Sequence, residues 1–376
     1  MSENNHEEYM TRALELAELG HNRVSPNPRV GSVVVKNNRI IGEGFHREYG
    51  DHHAEVYALN MADSRAKGST LYVTLEPCNH HGKTPPCTDK IISSGISEVV
   101  ISTLDPNPKM KGKSLKILKK AGIKVTSGIL KDEGEYLLRA FAKHTSQKMP
   151  WVTFKVASSL DGKIATSTGD SKWISGVSSR SVVQKLRAET GAIIVGANTV
   201  NLDNPSLTIR DIEPLPKPLL RVILDLKGEL NLKVKVVSTA KEYPTMIVTW
   251  PRKPKKLQDQ WKKLGLIHKT FPKTKDEGID LELLLKKIGE LGINHVLVEG
   301  GEKVATAFLS SGLVDEVWVF IAPKLIGGKD APGWFAGKGI GKLSDAVLLN
   351  DFRISQIEND ALLKGILTGY KKYFPK

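Results

Sequence analysis

Cysteine is nearly absent: the 376 residues hold two, Cys78 and Cys87, both in one short stretch. A disulfide framework is thereby excluded, and a metal or redox site is the better reading of such a pair. No run of eighteen apolar residues exists, so no membrane-spanning helix is expected. The opening MSENNHEEYM carries acidic and amide residues where a leader would need basic and apolar ones, and the expectation is a soluble, cytoplasmic protein without a membrane partner. Acidic residues are also in short supply. The 41 Asp and Glu against 55 Lys and Arg leave a net charge of +14, which attracts anions of any size without choosing among them. Lysines crowd 233–275 and 324–343, yet aromatic residues do not alternate with them as a single-strand binding face requires. The sequence therefore reads as a solvated basic surface with no nucleic-acid partner.

What is present is ordinary globular material, 40% hydrophobic and 26% charged, and the length favours two domains at about 150 residues each. Residues 7–19 carry apolar side chains at helical spacing and stop at Gly20. VGSVVV at 30–35 and RIIGEGF at 39–45 form a hairpin pattern around Lys36, Asn37 and Asn38. Helical spacing from His53 to Gly68, the strand TLYVTL at 70–75, a helix from about Thr88, the strand EVVIS at 98–102, a helix near 114–121 and KVTSG at 124–128 then alternate. This is the signature of layered α/β structure. KHTSQKMP at 143–150 is polar, ends in Pro150 and reads as the boundary. Beyond it helices near 178–189, 281–291 and 303–311 alternate with strands WVTFKVA, AIIVG at 192–196, RVILD at 221–225, MIVTW at 246–250, HVLVEG at 295–300 and EVWVFIA at 316–322. No internal repeat is visible.

The chemistry-bearing residues cluster in the first half. HHAEV at 52–56 places His53 and Glu55 at a helix start, and PCNHHGKTPPC at 77–87 supplies two thiols before another helix. One neutral imidazole and two thiolates suit Zn²⁺ with a fourth position kept for water, whose pKa the metal lowers toward neutrality. Glu55 is spaced to take that water's proton and hand it to a leaving amine. A closed structural zinc site, with His80 or His81 as the fourth ligand, is the alternative. H-x-E followed by P-C is the pattern of zinc-dependent base deaminases, although eight residues rather than two separate the cysteines here. A tRNA-type deaminase with an appended recognition domain would share it.

With PNPRVG at 26–31 ahead of HAE and the longer cysteine gap, residues up to about 145 resemble the deaminase half of the bifunctional riboflavin-biosynthesis deaminase/reductase family. The resemblance implies that Asn27 contacts the pyrimidine and that His46 and Lys83 hold the ribosyl phosphate side of the substrate. WVTFKVASSLDGKIA at 151–165, GDSKWISG at 169–176, LRAETGAIIVGANTV at 186–200, DNPSLTIR at 203–210, VEGG at 298–301 and VDEVWVFIAPKLIGG at 314–328 resemble the reductase half of the same family. The implied fold is a cytidine deaminase-like α/β/α layer sandwich over 1–147 followed by a dihydrofolate reductase-like α/β domain over 148–376. Two consecutive reactions are implied: deamination of 2,5-diamino-6-(5-phosphoribosylamino)pyrimidin-4(3H)-one, then NADPH-dependent reduction of the ribosyl side chain to ribityl. A homo-oligomer is implied as well.

By the same resemblance Ala157, Trp173, Thr199, Asp203 and the segment Gly301, Glu302, Lys303, Val304, Ala305, Thr306 and Ala307 contact NADPH. Ser171, Arg187, Leu207, Arg210 and Glu299 face substrate. Elementary chemistry adds to this. EGGEKVA sets two glycines between a strand and a helix, where backbone N–H groups can approach a phosphate, although it is not G-x-G-x-x-G. The guanidinium groups of Arg187 and Arg210 with the Ser171 hydroxyl suit a phosphate monoester. Lys155 and Glu299 could polarise a sugar carbonyl or imine and manage its proton.

Overall fold

The apolar runs become two separate sheets in a computed structural model that describes residues 3–81, 85–108 and 110–374. Two units divide the chain, Met1–Lys148 with Tyr370–Lys376 and Met149–Gly369.

The first unit follows α1 (Glu3–Glu18), β1 (Gly31–Lys36), β2 (Arg39–Phe45), α2 (Ala54–Ala62), β3 (Thr70–Leu75), α3 (Cys87–Ser93), β4 (Glu98–Thr103), α4 (Lys113–Lys120), β5 (Lys124–Ser127) and α5 (Lys131–Gln147). Its sheet runs β2-β1-β3-β4-β5, antiparallel from β2 to β3 and parallel from β3 to β5. The expected hairpin forms, with Asn37 and Asn38 both at positive φ, the requirement of the tight turn whose twist matches the strands. All six residues of β3 are buried, as a central strand covered on both faces must be.

The helix that carries Glu55 lies unusually close to β2. A Cβ on Gly44 would sit 2.5 Å from the Ala54 carbonyl oxygen and 2.6 Å from Tyr57 Cβ, and one on Gly42 would sit 2.1 Å from the Ala58 carbonyl oxygen. Backbone, which cannot step aside cheaply, fills that space. Gly44→Ala is therefore expected to push out the first turn of α2, cost about 1–3 kcal/mol as overpacking does, and weaken zinc binding. Thermal melting and a zinc titration of the variant check this.

KHTSQKMP is not a linker over most of its length, because α5 continues to Gln147 and ends at Lys148, which takes φ +57°. The helix holds its polar residues by local packing: the buried Arg139 stacks its guanidinium 3.9 Å from the Tyr136 ring and donates to the Tyr136 carbonyl. The carboxy-terminal turn returns to it, with Tyr370 edge-on to Tyr136 at 6.0 Å and Lys371 paired with Asp132 at 2.8 Å.

The second unit follows β6 (Trp151–Ser159), α6 (Val177–Glu189), β7 (Ala192–Gly196), α7 (Ala197–Asp203), β8 (Leu220–Leu224), α8 (Lys235–Ser238), β9 (Thr245–Thr249), α9 (Lys255–Lys263), β10 (Ile267–Thr270), α10 (Leu281–Gly289), β11 (His295–Val298), α11 (Glu302–Ser310), β12 (Glu316–Ala322), β13 (Asn350–Ile357) and β14 (Asp360–Ile366). The strands lie in the order β10-β9-β8-β7-β11-β6-β12-β14-β13, parallel from β10 to β12 and antiparallel through the final hairpin. Alternation along each strand serves two cores. Ile194, Val222, Val248 and Val298 pack with α10 and α11, while Ile193, Ile223, Ile247 and Leu297 pack with Leu186 of α6 and Trp261 of α9. α10 begins at Asp280, whose carboxylate accepts the Leu283 N–H at 2.9 Å. Because β6 lies inside the sheet and successive strands are laid on both sides of it, the chain reverses direction around β6, β11 and β7. The carboxyl ends of strands at such a reversal form a ligand crevice. Among the described residues, no helix is long and apolar enough to cross a membrane.

Candidate active sites

His53 is the residue that precedes α2, Cys78 follows β3 in the loop, and Cys87 opens α3. Two helix starts and a strand end thus aim three ligands at one another. Their ligand atoms all lie within 4.8 Å of each other, with His53 Nδ1 3.2 Å from Cys87 Sγ and 3.5 Å from Cys78 Sγ. A hydrogen bond from the Cys87 thiol, opposed by burial and helped by His53, pushes the Cys78 thiol down to about 4. Cys87 is raised instead, by sharing that proton and by burial. One imidazole and two sulfurs form a donor set that zinc fits. His80 and His81 are exposed and do not belong to the group.

Glu55 is buried in the first turn of α2, two residues from the His53 ligand, and burial raises its carboxyl above the usual range. Asn27 and His46 share this site. The His46 ring lies edge-on to His53 at 5.4 Å between centroids. His46 Nδ1 is 2.9 Å from the His52 carbonyl oxygen, which accepts only, so the N–H is on Nδ1 and Nε2 accepts from the Asn27 amide at 3.2 Å. Burial lowers the His46 pKa. Lys83 lies outside the described residues.

In the second unit Lys155 and Ala157 lie on β6, Thr199 and Asp203 on α7, and Glu299 just past β11. Arg187 of α6 does not present a free fork. Its Nε and Nη2 donate to the two Glu299 carboxylate oxygens at 2.8 and 2.9 Å, and Nη1 to the Thr208 carbonyl at 3.2 Å. Lys155 Nζ stands 4.0 Å from Glu299. Burial opposes ionisation of Glu299, but Arg187 and Lys155 overcome it and hold the carboxyl at about 2; burial lowers the Lys155 pKa. The phosphate role expected of Arg187 is thus displaced toward holding a carboxylate.

Arg210 is exposed, with its backbone N–H on Gln184. Leu207 is buried at φ +52°. The Ser171 hydroxyl donates to Asp203 at 2.8 Å, which joins two residues expected on different ligands. Trp173 is exposed, with the Arg180 guanidinium 4.6 Å over its ring.

At the start of α11, the Gly301 N–H donates to the Thr199 hydroxyl at 3.1 Å, and a Cβ on Gly301 would meet that oxygen at 3.0 Å. The Gly301 N–H is thus taken by Thr199, and the lack of a side chain at 301 lets α7 and the start of α11 approach each other. Of the segment behind it, Glu302 and Val304 are half-buried, Lys303 and Ala307 exposed, and Ala305 buried. Thr306 is engaged internally, donating to the Glu302 carbonyl and accepting from the Ala336 N–H, both at 2.7 Å.

Comparison with known proteins decides what these sites belong to. Residues 3–103 match the cytidine and deoxycytidylate deaminase zinc-binding region, and residues 150–363 match the RibD C-terminal domain. The riboflavin biosynthesis protein RibD of Aquifex aeolicus is 42% identical over 97% of this chain and 98% of its own length, and that of Escherichia coli K12 is 39% identical over 95% and 98%. Acinetobacter baumannii RibD superposes with a TM-score of 0.84 at 37% identity, over 98% of this chain and 100% of its own. The chain belongs to the RibD family. RibD proteins are bifunctional, and here a deaminase domain with the zinc-binding region and a reductase domain follow one another as in those relatives. A Thermotoga maritima structure described as a diaminohydroxyphosphoribosylaminopyrimidine deaminase/5-amino-6-(5-phosphoribosylamino)uracil reductase also superposes, at TM-score 0.80 and 38% identity over 97% and 99%.

Two acidic residues of this RibD chain carry no motif in the sequence. Glu76, buried before Pro77 and Cys78, accepts the N–H groups of Asp105, Gly112 and Ser114 and the Ser114 hydroxyl at 2.8–3.2 Å. It thereby ties the cysteine loop to the loop after β4. Burial raises Asp105 in that second loop to about 6. A carboxylate directly before P-C was the available signal; its partners, 29 to 38 positions on, had none.

Proposed function

We propose that the first unit removes an amino group from 2,5-diamino-6-(5-phosphoribosylamino)pyrimidin-4(3H)-one, and that the second reduces the resulting 5-amino-6-(5-phosphoribosylamino)uracil with NADPH. The observation that carries the reading is the convergence of His53, Cys78 and Cys87 beside the buried Glu55. Those three residues would hold zinc, which when bound would supply a water activated at neutral pH. The buried Glu55 carboxyl would hold a proton and hand it to the departing ammonia. Asn27, its amide turned by His46, offers donor and acceptor to the edge of the heterocycle. Lys83 is assigned to the ribosyl phosphate side; His46, expected there too, is buried with both ring nitrogens engaged by His52 and Asn27, and its part is to orient Asn27.

NADPH supplies the two-electron reducing equivalent, with Gly301 to Ala307, Thr199, Ala157, Trp173 and Asp203 as its contacts. Lys155 holds the proton needed at the sugar, because its ammonium is half-buried and set 4.0 Å from Glu299. Arg187 fixes the Glu299 carboxylate, and Ser171, Leu207 and Arg210 complete the substrate contacts. Incubating the diaminopyrimidine with the protein while following ammonia and NADPH absorbance tests both halves: ammonia without NADPH loss defeats the reductase assignment. Stripping the metal with a chelator is expected to abolish ammonia release and to leave reduction of the deaminated pyrimidine intact. Loss of both would contradict two independent sites.

A further inference from the structure

Between residues 226 and 275 the chain carries thirteen Lys and Arg against three Asp and Glu, so most of its net positive charge lies around β8, β9 and β10. Part of that charge converges on one ring. Trp250, directly after β9, donates its indole N–H to the Gly278 carbonyl at 2.9 Å. The ammonium groups of Lys273 and Lys253 lie 4.7 and 5.9 Å from its centroid. Lys253 Nζ donates to the Lys227 carbonyl at 2.8 Å, which ties the loop after β9 to the loop after β8. An ammonium has three donors, so Lys253 keeps two. Lys273 holds Glu277 at 2.6 Å in an exposed pair, a kind that contributes little and exchanges readily. Lys227 is exposed and makes no ion pair or side-chain hydrogen bond among the described residues.

Position gives this cluster its ligand. Strands β11, β7, β8 and β9 are parallel neighbours. The Trp250 backbone N–H donates to the Leu226 carbonyl at 3.1 Å, so the two lysine-bearing loops leave the sheet side by side. They leave from the same ends of the strands as the Gly300–Gly301 turn, two to three strand spacings away, or roughly 10–14 Å. A dinucleotide site that prefers the unphosphorylated cofactor offers a carboxylate to the ribose 2′-hydroxyl, whereas one that takes the 2′-phosphate offers a cation. The carboxylate at the end of β8, Asp225, is buried and turned inward, accepting the N–H groups of Gly228, Glu229 and Leu230 at 2.7–3.1 Å. Lysines stand where an acid would be needed.

We propose that Lys227 and Lys253, with Lys273 as a third cation beside Trp250, bind the phosphate on the adenosine 2′ position of NADPH and set the preference for the phosphorylated cofactor. This rests on the NADPH reading of the second unit. Calorimetric titration of the full chain with adenosine 2′,5′-bisphosphate and with 5′-AMP, which differ only in that phosphate, tests it. The wild type is expected to bind the bisphosphate at least about tenfold more tightly, the order of one or two charge-assisted hydrogen bonds. The double variant Lys227→Ala/Lys253→Ala is expected to lose that margin and to weaken NADPH about tenfold or more while NADH affinity stays put. The corresponding double Arg variant keeps the preference. Equal wild-type affinity for the two nucleotides overturns the proposal without any variant, as does equal weakening of NADPH and NADH. Variants that lose RNA binding but keep bisphosphate affinity overturn it too, and assign the cluster to a polyanion. A wild type that binds neither dinucleotide defeats the NADPH reading itself, a result distinct from one that binds both alike.

Discussion

Glu55→Gln is expected to release ammonia about 10³-fold more slowly than the wild type, within the range that a positioned proton carrier contributes, while zinc content stays at about one per chain. The two halves of the expectation have separate grounds. Glu55 is outside the group of three ligands, so an amide of the same shape leaves the donor set intact. It is also buried within the first turn of α2, where bulk water cannot readily replace it as a proton carrier. Glutamine accepts a hydrogen bond but takes no proton. Reduction of the deaminated pyrimidine by the same variant is expected to be unchanged, which guards against a general loss of fold. Metal analysis beside an ammonia assay separates the possible outcomes. Lost zinc would make Glu55 a structural residue, and ammonia release within tenfold of wild type would remove it from the reaction.

How much of this was legible follows from the range over which each signal acts. The convergence of His53, Cys78 and Cys87 could be read because its signal is local: HAE at a helix start and P-C before another helix carry residue type and spacing together, and the fold had only to bring two such segments into contact. The hairpin at Asn37 and Asn38 and the buried strand at 70–75 were legible for the same reason. The end of α5 was not. Its last turns look like a polar linker because Arg139 and Lys143 are buried, and what covers that helix includes Tyr370, more than two hundred positions away. β10 and α7 are too short for a periodic pattern to emerge, and the outer strand β13 is exposed along nearly its whole length, so no alternation marks it.

The reductase site shows the same limit at the level of chemistry. Arg187, Lys155 and Glu299 each offer a charge suited to a ligand, but a guanidinium in sequence looks equally suited to a phosphate and to a carboxylate. Only the return of β11 between β6 and β7 sets Glu299 against Arg187 and decides between them. Gly42 and Gly44 belong with these residues: a strand glycine signals close backbone approach, but that the approaching backbone is α2, and hence the metal site, needed the fold.

Glu299→Gln therefore carries the second large effect, on stability as well as on reduction. The variant leaves Arg187 and Lys155, whose side chains are only 12% and 16% exposed, facing each other without their counter-charge. Breaking a buried pair from one side costs roughly 3–5 kcal/mol, a fall of about 10 °C in the melting transition of a unit this size. Acidification supplies an independent reading. In the wild type the Glu299 pKa is about 2 against an ordinary value of 4.5, so its contribution is present in full above pH 4.5 and is lost as pH falls from there toward 2. The variant begins without that contribution and is expected to lack this part of the acid limb. Replacing both members of the bidentate pair, Arg187→Met with Glu299→Met, is expected to recover part of the stability, since the guanidinium bound most closely to the carboxylate is then gone and only Lys155, at 4.0 Å, is left without its counter-charge, while reduction stays abolished. A single variant that melts with the wild type at every pH would show that the pair contributes nothing to the fold. A double variant that still reduced the pyrimidine would remove Glu299 from the chemistry.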